Sequence, residues 1–125
     1  MATDQMRIRV KSIYAPAEAA DGFRVLVDDH LPPDLPEAEA NFDLWLGQIA
    51  PSHRLQKWYR DDRAKWERFL ESYFVELDDR GEDALLQLFN RTTDDRITLL
   101  FVAKDARCNT AVALKMYLEG QGDFG

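Results

Sequence analysis

Cysteine and histidine are almost absent, since the 125-residue chain has one cysteine, Cys108, and two histidines, His30 and His53. A lone cysteine rules out a disulfide within the chain, and these three residues lie too far apart for the ligand spacing of a zinc site. No metal is expected, and no motif asks for a cofactor. Long apolar runs are missing too. Nothing approaches the ~20 consecutive apolar residues of a membrane span, and "MATDQMRIRV" lacks the apolar core of a signal peptide. A cytoplasmic protein without a membrane partner is expected. Basic residues are outnumbered, 16 Lys and Arg against 23 Asp and Glu, for a net charge of −7 and a pI near 4.8. Affinity for phosphate backbones comes from clustered cations that release counterions, so nucleic acid is not an expected partner. The acidity reads first as solubility.

What is present is enough for one core. Hydrophobic residues make up 46%, with seven Phe, four Tyr and three Trp, far above a disordered chain. Length, and the absence of any repeat or linker, predict a single domain over residues 1–125, with 120–125 a flexible tail.

In "MRIRVKSIY", Met6, Ile8 and Val10 alternate with Arg7, Arg9 and Lys11, the period of a strand over about 6 to 14. "FRVLVDDH", with Val25, Leu26 and Val27 apolar on both faces, predicts a central strand, and the prolines of "LPPDLP" then turn the chain away. Pro36 suits a first helical position. Five helices are expected. "EAEANFDLWLGQIA" sets Phe42, Trp45, Leu46 and Ile49 on one stripe. Ser52 caps a short helix with Leu55, Trp58 and Tyr59 on one face, and Asp61 or Asp62 caps the next. That one carries Trp66, Phe69, Leu70, Tyr73, Phe74 and Leu77 and stops at Gly81. "EDALLQLFNRTTDD" is the fourth, "RITLLFVAKD" an apolar third strand, and "NTAVALKMYLEG" a last helix ended by Gly120. The fold class is α/β: a small, mainly parallel sheet of three or slightly more strands, covered by about five helices in Rossmann-like layering.

Three blocks, "IYAPAEAADGFRVLVDDHLP", "LWLGQIAPSHRLQKWY" and "TLLFVAKDARCNTAVALKMYLE", resemble the YeaO-like branch of a bacterial domain-of-unknown-function family. Ile13, Tyr14, Asp21, Gly22, Arg24 to Asp28, Pro51, Ser52, Leu55, Lys57 and Trp58 match its typical pattern, as do Leu99, Leu100, Lys104, Asp105, Asn109, Ala111, Val112 and Leu114. The resemblance implies a Rossmann-like α/β fold and no established activity. After Asp28 the family typically continues Arg-Leu-Trp-Pro-Arg-Gly, whereas this chain reads "DHLPPD", without either arginine or the tryptophan. Cys108 and Thr110 stand where histidines are usual.

If the strands run parallel, their C-terminal ends bring Tyr14, Asp28, His30, Lys104, Asp105, Cys108, Asn109 and Thr110 to one edge, where open α/β sheets bind ligands. A helix starting near Asn109 would aim free N–H groups into the crevice, with Lys104 adding charge, so a small anion or small metabolite is the expected ligand. The bland alternatives stand beside this. Asn109 or Thr110 is a cap, Lys104 and Asp105 are a solvated pair, and Cys108 is a small filler rather than a nucleophile activated by His30. His53 reads as a solvated first-turn residue. Asp28 must find N–H donors, either to brace the loop or to serve a ligand. The rival to a ligand site is a non-catalytic interaction module on a degenerate enzyme-like fold.

Overall fold

A computed structural model describes residues 7–123. Met6, expected to open the first strand, lies outside them, as do Phe124 and Gly125 of the expected tail. Four strands, β1 (Arg7–Ser12), β2 (Phe23–Leu26), β3 (Leu44–Trp45) and β4 (Arg96–Phe101), form one sheet in the order β1-β4-β2-β3. Every pairing is parallel, with Arg7 opposite Arg96, Phe23 opposite Ile97 and Val25 opposite Leu44. The central place of β4 follows from its sequence: a run that is apolar on both faces can only sit where both faces are covered, and Ile97 to Phe101 is buried throughout.

Alternation along the strands sends side chains to two different environments. Val25, Val27, Ile97, Leu99 and Phe101 face a large core shared with all four helices: α1 (His53–Tyr59), α2 (Trp66–Arg80), α3 (Glu82–Arg91) and α4 (Thr110–Asp123). The stripe expected on α2 supplies Phe69, Tyr73 and Leu77 to it, and Phe69 lies 4.4 Å from the Tyr59 ring and 5.5 Å from Trp66. Gly81 joins α2 to α3 because a Cβ there would lie 2.7 Å from the Leu77 carbonyl oxygen. Leu26, Leu100 and Ile13 face the other way, into a small cluster roofed by Leu31, Leu35, Phe42 and Trp45 from the long loop. Helices therefore cover one face only, and the two-sided cover expected of Rossmann-like layering is supplied on the second face by loop.

Several expectations are corrected. Residues 37–50 are not a helix but two single 3₁₀ turns, Glu37–Glu39 and Gly47–Ile49, on either side of β3. The apolar spacing there also contains a period of two: Leu44 and Leu46 join the helical core while Trp45 between them joins the loop-side cluster. Backbone bonds from Asp43 N–H to the Arg24 carbonyl (2.8 Å) and Leu46 N–H to the Leu26 carbonyl (2.8 Å) settle it as a strand. Among the described residues there are thus four α-helices and four strands. Pro36 precedes its 3₁₀ turn as the cap instead of opening a helix, and α4 runs through Gly120 to Asp123. Trp58, expected on the buried face of α1, is 40% exposed. Among the described residues no helix is long and apolar enough to cross a membrane.

Candidate functional site

Parallel pairing places the C-terminal ends of the strands at one edge, and a cavity of about 470 Å³ opens there between them and α1. Asp28 lies two residues beyond β2. One carboxylate oxygen accepts the Val102 N–H at 2.8 Å, just past β4, and the Thr110 hydroxyl at the start of α4 also donates to it. The side chain thus braces three elements while lining the cavity. Burial pushes its carboxyl above the ordinary value, and the Val102 N–H, the Thr110 hydroxyl and the nearby His30 recover only part of that cost.

Five of the residues expected at the edge line this cavity: Asp28, His30, Lys104, Asn109 and Thr110. Asn109 is the helix cap: its Oδ1 accepts the Val112 N–H at 3.0 Å and its amide donates to the Asp105 carbonyl at 2.8 Å, so it has little left for a ligand. Asp105 is drawn away from the cavity. It grips Arg63 through two bonds of 2.6 and 3.0 Å and accepts the Arg107 and Cys108 N–H groups, and these partners, Arg63 first, hold its carboxyl far below the usual range. Tyr14 lines a separate hollow of about 280 Å³ beside Ala103 and donates its hydroxyl to Asp34 at 2.5 Å.

A thiol, base and orienter set is not assembled. Cys108 is half-buried and does not line the cavity, and its backbone is held from both sides, by Asp105 at its N–H and by the Tyr59 hydroxyl at its carbonyl. His30 bonds Asp29 through Nδ1 at 2.8 Å, not Asp28. Asp29 also takes His53 Nε2 at 3.0 Å and the Gln56 amide at 3.2 Å, tying the loop after β2 to α1. Burial works against the Asp29 charge, but His30, Gln56 and His53 outweigh it and hold its pKa below the ordinary value. Among the described residues no group of three or more His, Cys, Asp or Glu side chains is placed to hold a metal ion.

Sequence reasoning missed the wall contributed by α1 and the turn after it. Gln56, Tyr59, Arg60 and Asp61 all line the cavity. Arg60 (φ 46°) and Asp61 (φ 56°) adopt consecutive left-handed conformations, uncommon for residues with a side chain and a form of local strain that collects at functional sites. Aspartate tolerates this geometry, but arginine gives no sequence signal of it. Arg60 and Lys104 both line the cavity, and neither makes an ion pair among the described residues. The cavity therefore joins a desolvated carboxylate, two unengaged cations and the rings of Tyr59 and Phe69.

Residues 7–123 match a family model described as the inactive DUF488-N3 subclade. The chain is 32% identical over 113 residues to the uncharacterized protein YeaO of Escherichia coli (strain K12), across 90% of this chain and 97% of that one. It is 28% identical over 117 residues to the uncharacterized proteins Rv3073c of Mycobacterium tuberculosis and Mb3100c of Mycobacterium bovis, across 94% of this chain and 98% of each of theirs. No solved structure matches it.

Proposed function

We propose that the strand-end cavity of this chain, which belongs to the inactive DUF488-N3 subclade beside YeaO-like relatives, binds a small polar metabolite without turning it over. The observation that carries the reading is the pairing, in one cavity, of the desolvated Asp28 carboxylate with the unengaged Lys104 and Arg60. A bare anion would meet the Asp28 charge at the end of β2. The fitting ligand has two ends, a hydrogen-bond donor or cation for Asp28 and a carboxylate or phosphate for Lys104 and Arg60, with an apolar middle against Tyr59 and Phe69. The word "inactive" in the family description supports the non-catalytic half, as does the displacement of Cys108 from the cavity. The same description, with the arginines missing after Asp28, favours an interaction module as the second reading.

A thermal-shift screen of zwitterionic, anionic and neutral metabolites on the full chain separates the two. A ligand at 100 times its Kd adds about 2.7 kcal/mol, several degrees in Tm for a domain this size. Hits are expected among two-ended compounds, weakened about tenfold by Asp28→Asn or Lys104→Met. Binding should also fail as pH drops through the raised Asp28 pKa, a limb that Asp28→Asn removes. No hits, or hits indifferent to both substitutions, would overturn the ligand reading.

A further inference from the structure

A second concavity, about 710 Å³ in volume, lies on the outer side of α1 and α2, lined by Arg54, Leu55 and Trp58 from one helix and Arg68, Ser72 and Val75 from the other. Arg68, Ser72 and Val75 follow one another by four- and three-residue steps, so they form a continuous line along α2. That line is separate from the buried one of Phe69, Tyr73 and Leu77. Trp58 is 40% exposed and Val75 65% exposed, although both could have been polar without cost to the core. Single exposed apolar residues need no explanation, but here two share a concavity with two arginines.

The charge of this groove opposes that of the molecule. The chain carries a net −7, yet Arg54 and Arg68 make no ion pair among the described residues. A third cation, Lys65, donates to the Trp58 carbonyl at 2.7 Å and lies 5.0 Å from the centre of its ring, fixing the indole in place. The carboxylate lining the groove is Glu76, and it is already engaged. Its two oxygens take the Ser52 N–H (2.8 Å), the Ser52 hydroxyl (2.6 Å) and Arg80 (3.1 Å). The unengaged charge facing the groove is therefore positive, on a chain whose net charge is −7. Rigid tryptophan beside arginine is also the side-chain pair most enriched where binding energy concentrates.

We propose that the α1–α2 groove docks an acidic peptide segment of a partner protein, with an apolar side chain of that segment seated on Trp58 and Val75 and its carboxylates on Arg54 and Arg68. An acidic segment would be drawn to this positive patch on a molecule of negative net charge, which supplies orientation as well as attraction. An extended nucleic acid would have to lay a continuous phosphate backbone over the surrounding negative surface, so a short segment fits better. The proposal does not depend on the strand-end cavity, which shares none of these lining residues.

The test is a selection from displayed random peptides of about 12 residues on the full chain, followed by fluorescence anisotropy with the selected sequences. Peptides rich in Asp and Glu around one large apolar residue are expected. Their affinity should fall by about tenfold or more in Arg54→Glu/Arg68→Glu and in Trp58→Ala, and should weaken with salt. Both arginines are exposed, so thermal melts of the variants should match the wild type. Arg91→Glu/Arg107→Glu, an equal charge change at exposed positions outside the groove, should leave binding within about twofold. No enrichment, peptides indifferent to the groove variants, or equal loss in the control pair would overturn the proposal. So would two other results. One is a single-stranded RNA oligonucleotide that binds tighter than the peptides and is lost on the same reversal. The other is a dimer seen by sedimentation that the reversal dissolves, which would make the occupant a second copy of the chain.

Discussion

Asp21 offers a severe test of how the loop-side face of the sheet is held. Its side chain is 0% exposed, and it pairs with Lys11 at 3.0 Å, Arg24 at 2.6 Å and Arg9 at 3.6 Å while accepting the Glu18 N–H at 3.0 Å. Removing it in Asp21→Ala does not orphan these partners equally. Lys11 keeps Glu18 at 3.0 Å and the Pro16 carbonyl at 2.9 Å, but Arg24, 6% exposed, keeps only the Asn41 carbonyl at 2.7 Å. Breaking a buried pair by deleting one partner costs about 3–5 kcal/mol, and with one cation still satisfied the lower half of that range, about 3 to 4 kcal/mol, is expected. Urea denaturation at pH 7 should show this as a lower midpoint with an unchanged m-value. Adding Arg24→Met removes the orphaned guanidinium, and the double variant should recover about 2 kcal/mol. The pH profile gives a second readout. Burial works against the Asp21 charge, but Lys11, the Glu18 N–H and Arg24 outweigh it and hold its pKa below the ordinary 3.8. A carboxyl depressed in the folded state contributes stability that is complete above the unfolded value and is lost as pH falls through the folded one. The gap between wild type and Asp21→Ala should therefore be flat from about pH 5 to 8 and close below about pH 4. A loss under about 1 kcal/mol, or one that Arg24→Met does not relieve, would refute the reasoning, because the cluster would then be no better than a solvated ion pair.

Asp28 should respond with the opposite sign, since its raised pKa means that the folded state holds the proton more tightly and stability declines as pH rises through that pKa. Asp28→Asn, which keeps an oxygen for the Val102 N–H, should match or exceed wild-type stability at pH 7, with the difference vanishing toward pH 4 in thermal melts; a clear loss at pH 7 would show that the charge itself braces the strand ends. Cys108, half-buried and away from the cavity, should react with iodoacetamide at least about tenfold more slowly in the native protein than in urea, and a native rate above the unfolded one would reinstate it as a candidate nucleophile.

Elements whose period and burial agree were legible, and those with two periods at once were not. The apolar run of β4 and the aromatic stripe of α2 each admit one structure. Residues 42 to 49 fit a helical stripe and an alternating strand equally well, and the choice was made by β2, whose open edge takes two residues of β3. Gly120 has nothing within 4 Å of where a Cβ would sit, so its place inside α4 costs only the ~1 kcal/mol of glycine's freedom and did not stop the helix. The pairing of Asp21 with Arg24 rests on Gly22, at φ 65° with its missing Cβ 2.3 Å from the Arg96 carbonyl oxygen. No reading of periodicity reveals such a contact between distant segments. At the candidate site, residues beyond the strand ends were legible because parallel topology gathers them at one edge. Those on the turn after α1 were not, because α1 ends in a left-handed cap at Arg60, a position that glycine or asparagine would have announced and arginine does not.

The two aspartates that bracket β2 separate what the fold needs from what it leaves available. Both carboxyls are desolvated, so both must be repaid in hydrogen bonds or charge. Before the strand, Asp21 receives close cations and a backbone N–H, and its pKa falls. After the strand, Asp28 receives one N–H and one hydroxyl, the adjacent histidine is turned to Asp29, and its pKa rises. Lys104 and Arg60 line the same cavity and make no ion pair among the described residues, and Arg60 sits there in a left-handed conformation. A chain selected for stability alone would close that gap with an ion pair or replace Asp28 with an amide. An under-compensated carboxyl in a cavity that also holds uncommitted cations is the arrangement on which the proposed ligand reading rests. If the proposed reading holds, the pH at which Asp28 takes up its proton should also be the pH at which the cavity ceases to discriminate between a two-ended ligand and a simple anion, which binding measured across pH would show.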